Sequence, residues 1–117
     1  MSFRFERMKI WIEAMDLGEE INALSYKFPD REKFNLSSQI TRAIDSVALN
    51  ISEGSIGQSD SEFRRFLGYS VRSIAEVVTC LYKARNRNYL GEEEFKVNYE
   101  RCFNLLNMIV AFRKKMK

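Results

Sequence analysis

Between Phe63 and Gly91 the chain sets six cations, Arg64, Arg65, Arg72, Lys83, Arg85 and Arg87, against a single acid, Glu76. Guanidinium and ammonium groups at helical spacing can track phosphates, Arg in bidentate fashion, so this segment predicts sequence-independent, salt-sensitive binding of RNA or DNA. Arg65, Arg72 and Lys83 share one outer face and carry that prediction. Two other destinations are open to the same cations. One is a merely solvated face; the other is pairing with Glu13, Asp16, Glu19 and Glu20, which meet no Lys or Arg between Ile10 and Tyr26. Exposed pairs of that kind stabilise little.

Catalytic chemistry finds no foothold. His is absent, which removes the commonest general base and metal ligand. Glu53, Glu62, Glu76 and Glu94 lack the Glu-x-x-His pair that a di-iron bundle requires. Ser70 and Ser73 have no base nearby and read as small packing residues. Gly54 and Gly57 are not followed by the Lys-Ser or Lys-Thr of a phosphate loop. The sequence therefore predicts no enzyme, no cofactor and no metal. Cys80 and Cys102 read as reduced packing residues rather than a bridge.

Four helices must position these groups. In the first, Ile10, Ala14, Leu17, Ile21, Leu24 and Phe28 alternate spacings of four and three, the seam of a helix packed lengthwise on others, and Pro29 stops it. After the loop PDREKF, Asn35 or Ser37 can cap a second helix whose core stripe is Leu36, Ile40, Ala43, Ile44, Val47 and Ile51, and Gly54 is expected to end it. Ser59 and Glu62 match a capping box opening a long third helix, with Phe63, Phe66, Leu67, Ser70, Ile74, Val77, Val78 and Leu81 as its stripe. That helix frays near Arg87 to Gly91. The acidic triplet Glu92 to Glu94 opens the fourth, with Phe95, Tyr99, Cys102, Leu106 and Ile109 as seam and Arg113 to Lys117 at its close. Connections this short force sequence neighbours to run antiparallel, so the fold expected is all-α: an antiparallel up-down-up-down four-helix bundle. One Pro and five Gly among 117 residues suit that fold, and the length suits a single domain over residues 1–117.

Two features exceed what one bundle requires. Gln39, Arg42, Ser46, Asn50 and Glu53 form a second, polar row beside the core stripe, flanked by an exposed Leu49. Such a row predicts a seam against another helix or subunit, with Arg42, Asn50 and Glu53 partly buried. Met8, Trp11 and Met15 flank the first helix, and Gly68, Val71, Ala75 and Tyr82 flank the third; small residues beside Trp, Met and Tyr predict self-association. The alternative is a widened core stripe.

The order of elements resembles the family of four-helix bundle proteins also called 23S rRNA intervening-sequence proteins. The likeness rests on Trp11 with Ala14, Phe28-Pro29, LSSQITRA, NISEG, SEFRRFL and the serine-bearing segment ending in Glu76, and spans about Phe5 to Phe112. QxxRA combined with NIxEG is its most specific part. Asp45 and Leu49 depart from the pattern, and Ser55-Ile56-Gly57-Gln58 lacks the arginine often found after EG. The resemblance implies a ring-like homopentamer without catalytic activity, similar in fold to the accessory protein of diversity-generating retroelements, which partners a reverse transcriptase and binds nucleic acid. In such a ring, five weak basic rows act multivalently on a polyanion.

Net charge is +3 with 30% charged residues, which permits nucleic-acid binding without arguing for it. No apolar run approaches the ~20 residues that span a bilayer, and MSFRFERMK lacks the apolar core of a signal peptide, so a cytoplasmic protein is expected. The leading expectation is a non-enzymatic homo-oligomeric bundle that binds RNA or DNA, with a polymerase-type partner. The alternative is a structural adaptor that contacts only proteins.

Overall fold

The computed structural model describes residues 1–116. Four helices, α1 (Lys9–Ser25), α2 (Leu36–Ser55), α3 (Asp60–Asn86) and α4 (Glu92–Lys114), are joined by short links, with 3₁₀ turns at Arg4–Arg7 and Asp30–Glu32 and no strand among the described residues. Each helix packs on its neighbours in sequence, and α1 also packs on α4, while α1 and α3, and α2 and α4, have no close backbone approach among the described residues. The helices therefore occupy the corners of a square, and the bundle is a rod of 44 × 23 × 23 Å. None of the helices is long and apolar enough to cross a membrane.

The stripes expected for the first two helices are buried in full, the six residues from Ile10 to Phe28 facing the six α2 residues from Leu36 to Ile51. Burying a large aliphatic side chain stabilises by roughly 1.5–3 kcal/mol, and these two rows supply one half of the core, with Phe63, Leu67, Ile74, Leu81, Leu105 and Ile109 of α3 and α4 in the other. In α3, Phe66 and Val78 are only half-buried, while Cys80 and Ala84 join the core. In α4 the register differs from the expected seam. Leu105 is fully buried and Leu106 and Tyr99 only partly, because α4 turns the 98, 102, 105 and 109 row inward and leaves the next residue on its shoulder.

Three helix boundaries are made differently from the sequence expectation. Gly54 does not end α2, which runs on to Ser55. Its missing side chain is needed for close packing instead: a Cβ there would lie 2.7 Å from Phe66 Cβ and 2.8 Å from Phe63 Cδ1. Asn35 occupies the α2 N-cap position but its side chain does not cap. The carboxylate of Glu32 takes the Leu36 amide, at 3.4 Å. At α3, Ser59 Oγ accepts from the Glu62 amide at 3.1 Å as expected, whereas the Glu62 carboxylate turns back to the Gln58 amide. Between α3 and α4 the chain reverses through Asn88, whose φ of 64° is a conformation Asn tolerates better than most residues.

Ser70 and Ser73 are packing residues of the α2–α3 crossing. Ser70 Oγ donates to the Val47 carbonyl at 2.9 Å, and Ser73 shares a hydrogen bond of 2.9 Å with Ser46. Cys80 and Cys102 are buried and unbridged, and burial pushes the Cys102 thiol up to about 12.

Candidate functional site

The six cations of α3 and its C-cap separate into two groups. Arg65, Arg72 and Lys83 stand exposed on the side of α3 turned away from the core, and none makes an ion pair among the described residues. The Arg65 guanidinium lies 5.7 Å over the ring of its neighbour Phe66, and the residue is exposed. The others have structural work. Arg87 pairs with Glu32 at 3.0 Å, and Arg85 lies 4.2 Å over the Phe95 ring, 5.0 Å from Tyr82 and 3.8 Å from Glu92. Arg64 is half-buried, with its carbonyl accepting from Arg113 Nε at 3.0 Å and its own Nε buried without a partner. So a phosphate row of six reduces to three exposed cations without a carboxylate partner, because rings and carboxylates engage Arg85 and Arg87 at the α3–α4 junction and Arg64 is half-buried.

Pairing between α3 and the acids of α1 does not occur, since these helices sit on a diagonal. Arg101 of α4 takes that role. It donates to Glu20 at 2.7 Å and to Glu13 and Asp16 at 3.0 Å each. The sequence signal for it was α4's place beside α1 in an antiparallel square.

Further cations join Arg64 and Arg65 where the chain ends meet the start of α3. Arg4 lies 5.3 Å over the Phe63 ring, which also packs at 5.8 Å on Phe112, bringing Arg113, Lys114 and Lys115 to the same end as Arg7 and Lys9. The acids of this end are Glu6, Glu53, Asp60 and Glu62, of which Glu6 and Glu62 are held on backbone amides. Antiparallel topology collects charges that are far apart in sequence, which is why a residue-by-residue scan misses this cluster. Lys117 lies outside the described residues.

The opposite end is built around Glu32, which sequence reading also missed. Its carboxylate, only 5% exposed, accepts from Tyr89 Oη at 2.7 Å and Arg87 at 3.0 Å, with Asn35 at 3.2 Å on its other oxygen. The Tyr89 hydroxyl bond outweighs the desolvation that raises its pKa and, with the Leu36 amide, Arg87 and Asn35, holds the carboxyl below its usual value. Nothing in the local pattern PDREKF marks it, because its partners come from the α3–α4 link.

The polar row of α2 is less buried than expected. Asn50 bonds within its own helix, to the Ser46 carbonyl and Oγ at 2.8 and 2.9 Å, and Gln39 is half-buried. Arg42 and Glu53 are exposed, and Arg42 Nε reaches only the Ser38 carbonyl at 3.4 Å. Within the subunit, only Ser46 crosses to another helix. The other four make no hydrogen bond to another helix among the described residues.

The apolar flank residues gather in two grooves. Trp11, Met15 and Leu49, with Phe5 and Gly18, line an open groove of about 390 Å³ between α1 and α2; Leu49 is 56% exposed. Ala75, Val78, Tyr99 and Phe103 line a groove of about 230 Å³ between α3 and α4. Tyr82 extends it, 4.9 Å from Phe95, and Val71 is half-buried nearby on the same helix. In a square bundle these grooves lie on opposite sides.

The sequence matches the model of the 23S rRNA-intervening sequence proteins over residues 6–111. The chain belongs to that family. Among solved structures it is similar to the crystal structure of a protein with unknown function from the S23 ribosomal protein family of Bacteroides thetaiotaomicron VPI-5482, with a TM-score of 0.84 and 19% identity, covering 91% of this chain and 99% of that one. At that identity the likeness shows the shared bundle. No curated protein matches the chain. For this member of the 23S rRNA-intervening sequence family, neither comparison carries a catalytic activity.

Proposed function

We propose that this 23S rRNA-intervening sequence family member is a non-enzymatic, cytoplasmic assembly module that binds RNA or DNA through its phosphates. The observation that carries this reading is the exposed row of Arg65, Arg72 and Lys83, without carboxylate partners, running toward an end enriched in further cations. Neutralising phosphates releases counterions, so affinity arises without base contacts and weakens steeply with salt. The family's name ties it to intervening sequences of 23S rRNA, which makes RNA the first ligand to test.

Assembly multiplies this weak row. Two different apolar grooves on opposite sides favour head-to-tail contacts, which close into a ring when the rotation allows. A homopentamer, as implied by the family resemblance, would present five rows to one strand. A reverse transcriptase or another protein is the partner the same resemblance implies. The grooves also favour a second reading, a structural adaptor that contacts proteins alone.

The experiment is an anisotropy titration with mixed RNA and DNA at rising salt, beside light scattering on the 13.8 kDa chain. Log K falls linearly with log salt, and the combined Arg65→Glu, Arg72→Glu and Lys83→Glu variant loses binding with its oligomer unchanged. No complex at low salt leaves the adaptor. A concentration-independent monomer removes the ring.

A further inference from the structure

We propose that the groove between α1 and α2 is the seat for the aromatic ridge that borders the α3–α4 groove of a second copy of this chain. The inference rests on the assembly reading above and adds which faces meet and what fills what. Its starting point is a hole. Gly18 is buried, yet a Cβ there would meet no atom within 4 Å, so open space stands directly above the α1 backbone. Ala14 and Ala48 complete this floor of small residues, and Trp11, Met15 and Leu49 stand around it.

The opposite side of the bundle carries the matching shape. Tyr99 and Phe103 stack within 11° of parallel at 6.4 Å along the shoulder of α4, and Tyr82 of α3 stands 6.3 Å from Tyr99. Phe103 is 52% exposed and Tyr82 41%. These rings form a ridge beside Ala75 and Val78, and a ring needs a hole with a floor of small residues. The α1–α2 groove, at about 390 Å³, supplies one. Aromatic and methionine side chains meeting over a desolvated centre are the composition of an interface core.

Charge decides between a like and an unlike partner face. The charged residues lining the α1–α2 groove are Glu19 and Asp45, both exposed and neither in an ion pair among the described residues. Two such grooves face to face would set carboxylates against carboxylates, which costs affinity. The α3–α4 groove has no charged residue in its lining. Lys96 shares the face of Tyr99 and Phe103, at spacings of three and seven, and is exposed without an ion pair among the described residues, while Glu100 lies further round toward solvent. The halves differ in the same sense: α1 and α2 hold six acids and two cations, α3 and α4 seven acids and nine cations. The contact is therefore head to tail, each copy giving its ridge to one neighbour and its hole to the other.

The test is subunit mixing with the full chain, followed by light scattering. Phe103→Asp spoils the ridge at an exposed position, and Gly18→Leu fills the hole while replacing a helix-weakening glycine. Each variant alone is expected to run as a 13.8 kDa monomer with wild-type helicity by circular dichroism. Mixed in equal amounts, they should form a complex of two subunits and nothing larger, because one intact ridge meets one intact hole. Glu19→Lys with Asp45→Lys should raise the concentration at which the multimer dissociates by about tenfold or more. Should Gly18→Leu lose its helicity, Leu49→Asp on the exposed rim replaces it. Wild-type mass for either variant, a mixture that stays monomeric, or one that grows beyond two subunits each overturns the pairing of faces. A monomeric wild-type chain overturns the assembly reading along with it, so the two failures have different signatures. Polynucleotide binding is read apart from both, since Arg65, Arg72 and Lys83 are unchanged in every variant.

Discussion

The two ends of the rod hold similar residues and use them oppositely. At the end where α1 finishes and α2 begins, the arginines are all engaged, Arg87 on Glu32, Arg31 on the Tyr89 hydroxyl and Arg85 over Phe95, with Lys27 on Glu94, while Lys83 and Lys96 make no ion pair among the described residues. At the other end, Arg7, Lys9, Arg65, Lys114 and Lys115 reach solvent without an ion pair among the described residues. Charge composition is therefore a poor guide to function in a small bundle, and engagement is a better one. An arginine wedged at a helix junction between rings and carboxylates, or on a buried carboxylate, is part of the fold, whereas one exposed on an outer face without a carboxylate partner is available to a ligand.

The comparison breaks most sharply at Gly54, which lets α2 approach Phe63 and Phe66 at the basic end. Gly54→Val is expected to lower stability by about 1–3 kcal/mol in chemical denaturation, because a side chain there must displace two rings. Next comes the engaged end. Its carboxyl pKa lies below the usual 4.5, so Glu32 contributes stability that is complete above that value and is lost as pH falls below it. Glu32→Gln should lower the melting temperature at neutral pH and flatten its decline in acid; an unchanged acid limb would show that the carboxylate is not the clamp.

Function and stability should then come apart between the two ends. Arg87→Ala and Arg85→Ala are expected to reduce melting temperature with polynucleotide affinity unchanged. Lys114→Ala with Lys115→Ala should do the reverse, lowering the salt slope by about one for each phosphate left unneutralised. Identical profiles for both pairs would erase the distinction. The smallest effects belong to the acids around Arg101: Glu13→Gln alone should cost under ~1 kcal/mol in denaturant titration, since Asp16 and Glu20 still hold the guanidinium. A cost near zero is likewise expected for Arg42→Ala in the isolated subunit, where its side chain meets one carbonyl of its own helix.

How much of this was legible in the sequence follows from the range of the interactions. Core stripes are written at spacings of three and four, and the first two helices match theirs residue for residue. Exposure of Leu49 and Met15 was equally readable, because the same periodicity that buries one face exposes another. What escaped depends on contacts across the bundle. Glu32 is bound by Tyr89 from 57 positions away, and Arg101 by Glu13 from 88. Gly54 looked like a helix end because its local signature is one, yet a neighbouring helix fixed its use. The shift from Leu106 to Leu105 in α4 shows the limit of periodicity, where a half-polar helix offers two adjacent rows and packing chooses between them.

Burial of the two cysteines gives the molecule a pair of internal clocks. A thiol reacts as its thiolate, and with Cys102 pushed up to about 12 and Cys80 raised by the same desolvation, neither ionises appreciably while the bundle is closed. Alkylation must therefore wait for the helices to part, and its rate reports how often they do. Cys80 lies toward the end held by Glu32 and Cys102 in the middle of α4, so mass spectrometry of the two labels would time the opening of each segment separately, without adding a probe to the chain.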